Sequence, residues 1–212
     1  MCDGRTRRYK YTQLLHQMNY AFIQHYSKHL WFILFSIVLT YNIIRERQYL
    51  FIFYTQWTFT IETIYFGLRT FGANTLADRI WPYLVAPATV VCMGFWTVIA
   101  PIHLFSPNRG HHNLFMLSVT HGCNLIAVIC EQRPVWSRDI YKPVMYTVLY
   151  NFFLAIYVGA GGRTISGQLP YWYTQYDSPI GWAFAALTIA AVAVVHFMVG
   201  KTPRTVAKQY IV

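Results

Sequence analysis

Long apolar runs, each closed by charge or glycine, alternate with short polar connections along this 212-residue chain. A membrane-crossing helix needs about 20 mostly apolar residues, because the hydrocarbon core is about 30 Å thick and each helical residue rises about 1.5 Å. The pattern predicts six such segments. The first is Leu30 to Ile44, closed by Arg45-Glu46-Arg47, and the second is Tyr49 to Leu68, stopped by Arg69. The third, Trp81 to Phe105, is long and is expected to bend near Pro87. Leu114 to Glu131 is the fourth, and Pro143 to Ala160, ended by Gly159-Ala160-Gly161-Gly162, the fifth. The sixth runs from Ile180 to Gly200, rich in alanine and closed by Lys201. Ahead of them Leu14, Leu15, Met18 and Phe22 recur at helical spacing, which predicts an amphipathic helix lying on the membrane surface. The expected fold is an all-α polytopic bundle. Residues 1–28 form its basic tail and surface helix, 29–200 the membrane domain and 201–212 a short basic tail.

Composition narrows the class. Hydrophobic residues make up 56% of the chain and charged residues 11%, against about 25% charged in soluble domains. A disordered chain, a disulfide-rich miniprotein and an ordinary soluble enzyme are excluded. The net charge of +10 would suggest nucleic acid in a soluble protein, but here the basic residues sort by side. With six spans, thirteen of the 17 Lys and Arg fall on the side of the N-terminus. Arg45, Arg47, Arg109 and Arg163 fall on the other. Both termini are therefore expected on the cytoplasmic or matrix side, in the mitochondrial inner membrane or the endoplasmic reticulum. Membrane lipids are the expected partners, and nucleic acid is not one.

No cofactor or metal is expected. Cys92, Cys123 and Cys130 fall inside predicted spans and Cys2 in the tail, with no Cys-x-x-Cys pair, so they read as packing residues. His29 and His196 lie near one level, but two histidines at one level are a poor haem signature. His103, His111 and His112 lack a ligand spacing. Tyr171-Trp172-Tyr173 after Pro170 reads as an interfacial aromatic anchor.

A charged side chain in hydrocarbon costs a few kcal/mol even on lenient scales (about 2.5–3.5 at a helix centre). The ionisable residues inside spans are thus the places to look for function. Glu62 is deep in the second span and needs a partner or a proton. Glu131 is near the surface, where solvation accounts for it. Thr55, Thr58 or Phe59, and Glu62 share one stripe of the second span; His121, Asn124, Val128 and Glu131 share one of the fourth. Counting from Tyr49 and Leu114, Thr55 and His121 come out about 9 and 10 Å below the same surface. A hydroxyl beside a neutral histidine is the minimum machinery for covalent hydrolysis, since the imidazole can take the hydroxyl's proton as it attacks a carbonyl. The competing use is structural: threonines in membrane helices bond the carbonyl four residues back, and buried histidines bridge helices.

Two blocks carry a family resemblance. The first, in the second span, runs from Tyr54-Thr55 to Tyr65-Phe66-Gly67, with the glycine twelve residues after the threonine. The second is His121-Gly122-Cys123-Asn124, with Glu131 ten residues after the histidine. Here the chain resembles the androgen-induced and androgen-dependent TFPI-regulating protein family of multi-pass membrane hydrolases, related to Rolling stone. The resemblance implies hydrolysis of fatty acid esters of hydroxy fatty acids, with Thr55 as nucleophile and His121 as base. Glu62 and Asn124 would support the polar network. Several members carry a second histidine three residues before the catalytic one, where this chain has Ser118.

A reading of a different class is a non-catalytic accessory subunit of a large membrane complex, plausibly mitochondrial. Its basis is the basic start, the surface helix and an aromatic content of 18%, which suit other membrane subunits and anionic lipid such as cardiolipin.

Overall fold

The computed structural model describes residues 26–101, 118–131, 133–164, 167–171 and 174–200. The expected surface helix, the C-terminal tail, Cys2, His103, His111, His112, Trp172 and Tyr173 lie outside the described residues. Within them the protein is all-helical, with no strand. Helix α1 spans Tyr26–Glu46, α2 Tyr54–Thr70, α3 Asn74–Ile80 and α4 Val85–Gly94. Helix α5 spans Asn124–Glu131, α6 Tyr141–Gly159 and α7 Pro179–Gly200.

Helices α1 and α7 are long and apolar enough to cross a membrane. A third crossing results if Asn74–Tyr83 and Val85–Thr97, which meet at 45°, count as one bent span. Helix α2 has 17 residues and α6 has 19, and their threonines, tyrosines, Glu62 and Asn151 lower their hydropathy. Apolar side chains point outward: Leu30, Ile33, Ile37 and Ile44 form an exposed stripe on α1, and Leu187, Val194 and Met198 stay exposed on α7. Polar side chains point inward, Thr58, Glu62, Asn124, Thr147 and His196 all being buried. This arrangement suits a hydrocarbon surround, in which interhelical polar bonds and close packing hold helices together.

Two boundaries differ from the sequence expectation. A 3-10 turn, Arg47–Ile52, precedes α2, and Phe53 between them is extended (φ −104°, ψ 130°). The second segment is therefore broken, and Thr55 lies in the first turn of α2. The bend of the third segment lies between Tyr83 and Val85, after the 3-10 turn Trp81–Tyr83 that holds Pro82. Pro87 causes no bend, because it sits in the first turn of α4, where its missing N–H has no intrahelical partner to lose.

Contacts at opposite ends set the helix directions. Thr70 Oγ1 donates to the Lys28 carbonyl at 3.4 Å, and Asn42 Nδ2 to Gln56 Oε1 at 3.4 Å, so α1 and α2 are antiparallel. Gly67 permits their close approach: a Cβ there would lie 2.9 Å from the Phe32 ring. Phe35 packs on Phe59 and Phe66 with ring centroids 4.7 and 5.7 Å apart. Helix α4 packs against α2, α5 and α7, and α6 against α7. A second apolar cluster, with Tyr54, Tyr146, Tyr150 and Leu154, joins α2 to α6. Helix α6 stops where the sequence places glycines, at Gly161 with φ +84°.

Candidate active site

Helix α2 carries threonines at 55, 58, 60, 63 and 70, and three of them behave as isolated helical threonines do. Thr58, Thr60 and Thr63 donate to the carbonyls of Tyr54, Gln56 and Phe59, four residues back, at 3.1, 2.7 and 2.8 Å. Thr55 has no such carbonyl within its helix, because α2 begins only one residue earlier, at Tyr54. The carbonyl of Phe51 instead accepts the Trp57 indole N–H. The extended Phe53 thus frees the Thr55 hydroxyl from its own backbone.

That hydroxyl meets His121. Thr55 Oγ1 lies 3.3 Å from His121 Nε2, across 66 residues of sequence, and Thr55 is only 9% exposed. His121 sits on a π-helical turn, Val119–Cys123, which leads into α5. A second π-helical turn, Phe95–Ile99, extends α4. Phe95 from that turn stacks on the imidazole with centroids 3.9 Å apart and planes 26° apart, which fixes the ring plane. Such turns widen a helix by one residue and recur at functional sites. A separation of 3.3 Å is long for a hydroxyl–imidazole hydrogen bond, as is common before substrate tightens a site.

Tyr171, taken from sequence as a membrane anchor, has another place. Its hydroxyl accepts from the Tyr54 backbone N–H at 3.1 Å, satisfying one of the donors left open at the start of α2. Its ring meets Phe53 edge-on at 5.8 Å. Burial pushes the phenol above its ordinary value, while hydrogen bonds with Tyr150, the Tyr54 backbone and the Thr55 side chain pull the other way. The proton therefore stays on Tyr171, and the Thr55 hydroxyl stands between a phenol and an imidazole. No spacing marks Tyr171 or Phe95 in the sequence.

Asn124 follows His121 by less than one turn and is fully buried. Its Oδ1 accepts from the Leu125 N–H at 2.7 Å, and its Nδ2 has no acceptor among the described residues. Glu62 lies two turns along α2 from Thr55, fully buried, with neither carboxyl oxygen bonded among the described residues. Among the described residues, then, no hydrogen bond to the Glu62 carboxyl makes up the polar network expected around it.

Glu131 departs from expectation. It is buried and ion-paired instead of solvated. Its Oε1 accepts from Tyr65 Oη at 2.8 Å and from Arg69 Nε at 3.0 Å, and lies 3.1 Å from Arg133 Nε. Burial, with the nearby Arg69 charge, lowers Arg133 from its ordinary value. Tyr65 and Glu131 are again 66 positions apart, so α2 and α5 run in the same direction and in constant register. His196, set aside above as a haem ligand, is buried with its Nε2 3.1 Å from the Trp136 carbonyl, a tie between α7 and the connection before α6.

No family model, curated protein or solved structure matches this chain. Function is therefore argued from the site itself. The cysteines at 92, 123 and 130 are free thiols. Among the described residues no group of three or more His, Cys, Asp or Glu is gathered as metal ligands would be.

Proposed function

We propose that this chain is an intramembrane lipid-ester hydrolase with a threonine nucleophile. The observation that carries the reading is the Thr55 hydroxyl, free of back-bonding and 3.3 Å from His121 Nε2. His121 Nε2 takes the hydroxyl proton as Oγ1 attacks the ester carbonyl carbon. The C–O bond to the alcohol then breaks, and the alcohol leaves with the proton held by His121. Water, deprotonated by the same nitrogen, then attacks the acyl-threonine; the bond from the acyl carbon to Oγ1 breaks, His121 returns the proton to Oγ1, and the fatty acid is released. The Asn124 amide is the donor nearest in sequence for the developing oxyanion, and Tyr171 holds the start of α2 in place. The substrate class, fatty acid esters of hydroxy fatty acids, follows from the resemblance of the two sequence blocks.

Six spans suit this reading. Helix directions alternate from α1 to α2 and agree between α2 and α5, as in a bundle of short, tightly packed crossings. The basic bias then puts both termini on the cytoplasmic or matrix side. Lipid would reach Thr55 sideways from the bilayer.

A fluorophosphonate probe tests the chemistry on the full chain in detergent. Wild type is expected to label, and Thr55→Ala and His121→Ala to lose the label while keeping their helix content. An unlabelled wild type, or labelling in both variants equal to that of wild type, rejects the hydrolase and leaves an accessory membrane subunit.

A further inference from the structure

Two π-helical turns meet beside the Thr55 hydroxyl, Phe95–Ile99 after α4 and Val119–Cys123 before α5. Each supplies one ring of a single stack. Phe95 is only 4% exposed, and it is held on two sides. Its ring lies on the His121 imidazole, with centroids 3.9 Å and planes 26° apart. Trp96 of the same turn meets it edge-to-face, at 5.2 Å and 86°. The Trp96 indole in turn lies over Gly122, its Nε1 3.5 Å from where a Cβ would stand. The stack on His121 is closer than the separation of about 4.5–7 Å usual for aromatic pairs.

A benzene ring is negative on its faces and positive at its edge. A face laid on an imidazole therefore favours the cationic form of that imidazole. The attraction reaches to about 6 Å from the ring centroid and grows where water is excluded. Ester hydrolysis makes this cation: His121 becomes an imidazolium when Nε2 takes the proton of the Thr55 hydroxyl, 3.3 Å away. A contact that strengthens as the proton moves lowers the barrier, whereas one equal before and after does not. In enzymes with a Ser-His-Asp triad a buried carboxylate plays this part. The acids of α2 and α5 are placed otherwise. Glu131 is shared by Tyr65, Arg69 and Arg133, and Glu62 makes no hydrogen bond among the described residues.

We propose that Phe95 is a positioning residue of the hydrolase, its ring face stabilising the positive charge that His121 gains as Thr55 attacks. The inference rests on the hydrolase reading and adds to it the group that supports the charged base.

Fluorinated phenylalanines placed at position 95 of the full chain test it, because each fluorine withdraws charge from the ring face while nearly keeping the ring's shape. The readout is reaction with a fluorophosphonate. In that reaction the bond from Oγ1 to phosphorus forms, the phosphorus–fluorine bond breaks, fluoride leaves and the proton passes to His121 Nε2. The saturating rate of labelling is expected to fall stepwise through mono-, di- and trifluorophenylalanine, by about tenfold in all. The half-saturating probe concentration should not move. The same series at Phe59, in the core between α1 and α2, should leave the rate within about twofold. Phe95→Leu removes the ring face and should lose about tenfold or more; the fluorinated series decides the matter if that variant does not fold. A labelled wild type with a flat series overturns the proposal and leaves the hydrolase standing. So does a fall unrelated to fluorine number, or a change confined to the half-saturating concentration. An unlabelled wild type overturns both.

Discussion

At one end of the seam between α2 and α5, Thr55 faces His121; three turns along, Tyr65 faces Glu131 at the same sequence separation of 66. The second pair belongs to a dense ionic cluster in which one carboxylate oxygen meets a phenol and two guanidinium groups. Charge-assisted bonds of this kind are strong where water is scarce, and they fix how the helices slide past each other. The first pair is joined by one long hydrogen bond, of the kind that contributes about 1 kcal/mol or less. Stability does not explain it. The comparison teaches a division of labour: charge sets register at the ionic end, while the other end brings a hydroxyl and an imidazole together without charge pairing, which suits the proposed chemistry.

Thr55→Ala should separate the two ends most sharply. Ester hydrolysis is expected to fall by about 10³-fold or more, because no other hydroxyl replaces the nucleophile. Thermal unfolding should stay within about 1 kcal/mol of wild type. A variant that unfolds instead would make the hydroxyl end structural. Glu131→Ala is the mirror experiment. Removing the shared carboxylate leaves Arg69 and Arg133 repelling each other, at a cost of about 3–5 kcal/mol read from the unfolding midpoint. A loss below about 1 kcal/mol would deny the ionic end its role in setting register.

Smaller changes sharpen the boundary. Tyr171→Phe keeps the ring against Phe53 but removes the cap on α2 and a neighbour of the nucleophile. We expect kcat to fall about tenfold with KM little changed, and stability to drop by about 1 kcal/mol. A rise in KM alone would move Tyr171 from positioning to substrate contact. Thr63→Val removes a back-bonded hydroxyl of the same helix. Activity should change by less than about twofold and stability by less than about 0.5 kcal/mol, marking Thr55 as chemically distinct among its neighbours.

Much of the helical layout is legible in the sequence, because α6 and α7 begin and end where charge, proline and glycine say they should. The meeting of Thr55 with His121 is legible as well. Two polar stripes at matched depth in apolar segments have few places to go but inward. What escapes is held by tertiary contact. Nothing in Leu50-Phe51-Ile52-Phe53 marks a break, since the run is uniformly apolar. The extended Phe53 is kept by the Trp57 indole on Phe51 and by Tyr171 on Tyr54. Glu131 near a span end looks hydrated, and only folding brings Arg69 and Arg133 onto it. Pro87 looks like a hinge because a proline's effect depends on its distance from a helix start, which a pattern of apolar residues does not fix.

The break at Phe53 decides which alcohol on this helix is left free of the peptide groups beneath it. Had α2 started one turn sooner, the same side chain would face the same imidazole with its oxygen occupied by a peptide group beneath it. Grafting a threonine elsewhere on the helix would give an inert neighbour, and straightening the chain at this point would silence the native one without altering a single polar residue.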